Sequence, residues 1–84
     1  MKLDGLTKGE RFIVGWQYHL AGSFMHSLAM AFIAADNINL AKLRLAFPEE
    51  VDAFINYGNT PHWWGDLQRK IGVKQNGTFE AESK

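Results

Sequence analysis

The side chains whose types and spacing bear on chemistry are three histidines, a carboxylate cluster and an aromatic run. His19 and His26 would project from one face of an unbroken helix, about two turns apart. Two imidazoles in a chain without cysteine do not make a zinc set, and no Asp or Glu partner can be placed beside them. No metal is expected. His62 falls in the first turn of a predicted helix, where the dipole disfavours an imidazolium. A capping or packing role fits it better than that of a general base.

Glu49, Glu50 and Asp52 crowd one helix start. Acid–base chemistry needs two carboxyl groups that converge on a pocket with their pKa values pushed apart. Neighbours on a single turn do not converge, and a helix N-terminus favours negative charge in any case. Ser23 and Ser27 have no nucleophile context. The sequence has no Walker-type loop, no dinucleotide glycine fingerprint and no His-Glu metalloprotease motif. The expectation is a protein that is not an enzyme and takes no cofactor.

His62-Trp63-Trp64 is more informative. Two successive Trp on a helix point about 100° apart, so a small bundle cannot easily bury both. One can anchor the core while the other meets an edge or a partner, or packs under the C-terminal tail against Phe79. Trp and Tyr bury much area at low entropic cost, which makes them frequent binding anchors. Trp63, Trp64 and Tyr57 are the predicted contact residues, with Tyr18 and Trp16 in reserve. A Trp can also stack on a nucleobase, and Arg69 and Lys70, one to two turns later, can reach a phosphate. Arg11, Lys42 and Arg44 could form a basic patch, for which solvation and ordinary ion pairing are expected.

The elements that must position these groups follow from punctuation and period. Thr7-Lys8-Gly9-Glu10 has the capping-box form. Ile13, Trp16 and Leu20 then recur at helical spacing, Phe12 widens the stripe, and Gly15 permits a close neighbour. Gly22-Ser23 breaks the chain. A second helix over 24–35 is apolar nearly all round, which predicts burial in the centre of a bundle or at an oligomer interface. Asn39 is the expected cap of a third helix over 40–47, with Leu40, Leu43 and Phe47 on one face. Pro48 opens a fourth, with Val51, Phe54 and Ile55 on its apolar face and Gly58 to end it. Thr60-Pro61 signals a fifth over 61–71, with Trp64, Leu67 and Ile71 on one stripe and Gly72 closing it. Polar residues 73–84 read as a loose tail, where Asn76-Gly77 has turn chemistry but no convincing strands around it. The prediction is an all-α bundle of four to five short helices in one domain over 1–72, followed by that tail.

Composition agrees and narrows the classes. In 84 residues, 46% are hydrophobic and 13% aromatic, the net charge is +0, and there is no cysteine. A disordered chain would be less apolar, a disulfide scaffold needs cysteines, and general nucleic-acid binding needs excess Lys and Arg. The longest apolar run, Leu28 to Ala35, is eight residues, against about 20 for a membrane span. No signal peptide is apparent, so a cytoplasmic protein without a membrane partner is expected. A domain this small buries only about 60% of its unfolded surface. Three Trp, six Phe and two Tyr are a heavy load for such a core, so some are expected to face a partner.

Phe24, Leu28, Ala35-Asp36, Asn39, Leu43, Phe47-Pro48 and Val51 form a string of helix-boundary signals. In that order they resemble small uncharacterised proteins encoded by bacteriophages and prophages. The resemblance covers about the middle half of the chain and carries no catalytic motif. It implies a mobile-element protein acting inside a bacterial host, where such proteins often bind and redirect host machinery. The leading expectation is a non-enzymatic binder of a host protein or protein complex, with a defence assembly such as a CRISPR effector as one target. The alternatives are an oligomer that sequesters a nucleotide signal and a homo-oligomeric structural module.

Overall fold

The computed structural model describes residues 2–72, which form α1 (Lys8–Gln17), α2 (Ser23–Ala34), α3 (Asn37–Ala46), α4 (Pro48–Asn59) and α5 (Trp63–Lys70). No strand occurs among the described residues, so the fold is all-α as the sequence predicts. The expected loose tail over 73–84, with Phe79 and the Asn76-Gly77 turn, lies outside the described residues.

Side-chain capping fixes the start of α1 as predicted. The Thr7 hydroxyl accepts from the Glu10 amide at 3.1 Å, and Glu10 accepts from the Thr7 amide at 2.9 Å. The helix stops earlier than its apolar period suggests. His19 takes a left-handed conformation (φ 58°), and the Leu20 and Ala21 amides both turn back to the Gly15 carbonyl, at 2.8 and 3.2 Å. Gly15 therefore makes room for this turn, not for a neighbouring helix, since a Cβ there would stand 3.3 Å from that of Ala21. Leu20 leaves the core stripe and is exposed.

Three other boundaries differ from expectation. α3 is capped by Asp36, whose carboxylate accepts from the Asn39 amide at 2.8 Å, so Asn39 lies inside the first turn. α4 opens at Pro48 as predicted but runs through Gly58 to Asn59. Its end is set by Thr60, whose amide and hydroxyl donate to the carbonyl and side-chain oxygens of Asn56 at 2.9 and 2.8 Å. Thr60 thus finishes one helix instead of capping the next. Pro61 lies in the intervening turn, and left-handed His62 (φ 71°) precedes α5. Gly72 closes that helix with positive φ, as expected.

The central contact is α1 on α4, with α2 packed on α1, and α3 and α5 on α4. Phe12, Ile13, Leu28, Ala29, Phe32, Val51 and Ala53 form the main core. Val14, Leu67 and Ile71 form a second, smaller cluster against Leu3 and Leu6. The Lys2 amide donates to the Ile71 carbonyl at 2.9 Å and ties the leading segment to the end of α5. α2 is not central. Only Leu28, Ala29 and Phe32 of its twelve residues are buried. Phe24, which its spacing assigns to the core, is 62% exposed, and its ring meets that of Phe47 at a centroid separation of 6.2 Å.

Candidate functional site

The predicted contact aromatics come together, but with one another. Trp16, Tyr57, Trp64 and Tyr18 form a continuous series linking α1, α4 and α5. Centroid separations are 5.6 Å for Trp16–Tyr57, 5.4 Å for Tyr57–Trp64 and 5.9 Å for Trp64–Tyr18. Tyr57 meets Trp64 nearly edge-on, at 86°, the arrangement favoured by the ring quadrupoles. The series reaches the core through Phe54, which touches both Trp16 and Phe32. Trp63 and Trp64 are both half-buried and pack against both core clusters. Bracing the two clusters lets one helix turn shelter two Trp. Burial pushes the Tyr57 phenol above its ordinary pKa, and Tyr18 adds to the effect. The Tyr18 hydroxyl accepts from Gln68 Nε2 at 3.2 Å.

The two cations beside these rings are engaged by carboxylates. Arg69 pairs with Asp66. Lys70 Nζ lies 3.1 Å from Glu10 Oε1, so the end of α5 is fastened to the capping box of α1. Glu10 feels opposing influences. Burial raises its pKa, but hydrogen bonds from Thr7 and Lys70, with the Lys70 charge, outweigh burial and hold the carboxyl below its ordinary value. A nucleotide between Trp63 or Trp64 and these cations would have to displace Asp66 and Glu10. The suggested patch of Arg11, Lys42 and Arg44 is similarly divided. Arg44 grips Asp52 at 2.7 Å, and Arg11 donates to the Leu3 carbonyl at 3.2 Å. His19, His26 and His62 are all exposed.

Among the described residues, one uncovered apolar surface is aliphatic, and the aromatic count did not point to it. No residue of α3 is buried. Leu40 and Leu43 lean half-buried on the core, and the opposite side carries Ile38, Ala41 and Leu45 at i, i+3 and i+7. Ile38 is 70% exposed and Leu45 is 88% exposed. Lys42 lies on the same outer side and has no ion-pair partner among the described residues. Ala41 also lines a groove of about 220 Å³ between α3 and α4, with Leu40, Val51, Ile55 and Arg44 around it. The signal was present in the sequence. Once Leu40, Leu43 and Phe47 take the inner face, Ile38 and Leu45 are left as a second apolar set at a period of seven.

A larger cavity of about 570 Å³ opens beside α1, walled by Leu3, Phe12, Val14, Leu20, Ala21 and Met25, with Lys8, Arg11 and Glu50 also lining it. No family model matches the chain, and no curated protein or solved structure matches it either.

Proposed function

We propose that the protein works by binding another polypeptide through the outer face of α3, not by catalysis. The observation that carries this reading is the stripe Ile38-Ala41-Leu45 on a helix with no buried residue. Fully burying one Leu or Ile contributes about 1.5–3 kcal/mol, so covering two of them is a substantial gain. The α3–α4 groove beside Ala41 offers a recess for one partner side chain. Lys42, on the same side, favours a partner segment with an acidic residue next to its apolar ones. The aromatic series supports this arrangement indirectly by stiffening the α1–α4–α5 frame on which α3 rests. The resemblance of residues 22–51 to phage-encoded proteins makes a bacterial host protein the candidate partner, a defence complex among them.

Site-specific photo-cross-linking in bacterial cells tests the reading. A benzophenone residue at position 45 should join the chain to one discrete partner, and the same group at position 69 should not. Equal cross-linking from both positions, or none from position 45, would contradict it.

A further inference from the structure

We infer that the cavity beside α1 binds an anionic amphiphile, a straight-chain carboxylate whose hydrocarbon body enters the apolar interior while its head meets Lys8 and Arg11. This is independent of the α3 surface. The cavity, of about 570 Å³, falls in the size range of small-molecule sites. Phe12 and Val14 are its buried walls. Leu3 is half-buried there, and Leu20 and Met25 stand in the outer wall, 57% and 36% exposed. Apolar walls open to water are stabilised by any hydrocarbon that covers them.

The polar groups of the lining define the occupant. No hydroxyl or amide side chain is among the lining residues, and the Gly15 carbonyl is taken up by the Leu20 and Ala21 amides. A sugar, a nucleobase or a peptide backbone would enter with its hydrogen-bonding groups unsatisfied. A hydrocarbon chain has none to satisfy, and pliant Met25 adapts to it. The charges are uneven. Lys8 and Arg11, one turn apart on α1, are both exposed at the rim. Neither has an ion-pair partner among the described residues. Arg11 holds only the Leu3 carbonyl, and Glu10, the one acidic residue of α1, is engaged by Thr7 and Lys70. Glu50, from α4, is the single acidic residue of the lining. Two cations against one carboxylate leave the rim net positive. They also orient the ligand, whose head turns toward Lys8 and Arg11 and away from Glu50.

Isothermal titration of the full-length chain with dodecanoate, below its micelle concentration, tests this. One molecule should bind per chain. Octanoate, four methylenes shorter, should bind at least about tenfold more weakly, since each buried methylene contributes about fourfold. Dodecyltrimethylammonium, with the same tail and the opposite charge, should also bind at least about tenfold more weakly. Lys8→Gln should weaken dodecanoate binding about two- to fivefold, and Glu50→Gln should tighten it by a similar factor, as for partly exposed charge pairs. Met25→Glu sets a charge in the apolar wall and should abolish binding with an unchanged helical circular dichroism spectrum. Leu45→Glu, on α3, should bind as the parent does. If Met25→Glu fails to fold, Glu50→Gln and the cationic amphiphile still decide the matter. The inference is overturned by no dodecanoate binding, by several molecules per chain, by equal affinity for the cationic amphiphile, or by weaker binding in Glu50→Gln.

Discussion

Gly9 of α1 lies so close to Glu49 of α4 that a Cβ on residue 9 would stand 2.4 Å from the Glu49 carbonyl oxygen. The same atom would be 2.7 Å from the Ala53 Cβ. Neither neighbour is a flexible side-chain end, so α1 and α4 would have to separate. Gly9→Ala should therefore destabilise by about 1–3 kcal/mol, the usual overpacking range, despite a gain in helix propensity of about 1 kcal/mol. Gly58 is the control. It lies inside α4, and a Cβ added there would meet nothing within 4 Å, so Gly58→Ala should stabilise by about 0.5–1 kcal/mol. Urea melts of the two variants should move in opposite directions.

Phe32 and Phe24 share a helix and differ in consequence. Phe32 is buried between the Phe12 and Phe54 rings, at 5.4 and 5.5 Å. Phe32→Ala should cost about 3–5 kcal/mol, a large part of the stability of so small a domain. Phe24→Ala, at an exposed site, should cost less than about 1 kcal/mol. Thermal unfolding monitored by circular dichroism separates the two.

Glu10 gives the stability a dependence on acid. Its folded carboxyl titrates below its ordinary value of 4.5, so the unfolded chain takes up a proton first as pH falls. The contribution is complete well above pH 4.5, and is lost as pH drops from there through the lower folded value. Glu10→Gln should be less stable than the parent near neutral pH, and the gap should close in acid. A gap that widens on acidification would show the sign to be wrong.

How much was legible follows from how local each signal is. Thr7-Glu10, Pro48 and Gly72 act within one turn of backbone, and each does in the fold what it announces. Thr60-Pro61 carried two local meanings. The bonds from Thr60 to Asn56 decide for the end of α4 over the start of α5. Asp36 and Asn39 competed in the same way for one cap, and the residue whose carboxylate reaches an amide three positions on took it. Burial is less local. An all-apolar α2 reads as central, yet its place at the edge depends on α1 choosing α4 as its main partner through Gly9. The aromatic surplus was legible only as a count, for a related reason. Counting rings does not reveal that Tyr57 and Trp16 meet across two helices, nor that aliphatic Ile38 and Leu45 stay exposed.

The most direct test of the α3 surface is the affinity of Leu45→Glu for the partner cross-linked at position 45, compared with the parent chain and Arg69→Ala by calorimetry. Losing one buried Leu contact of about 1.5–3 kcal/mol weakens binding about 10- to 150-fold. Leu45→Glu should lose at least that much, with its fold intact, while Arg69→Ala stays near the parent value. Unchanged affinity in Leu45→Glu, or a larger loss in Arg69→Ala, would contradict the account.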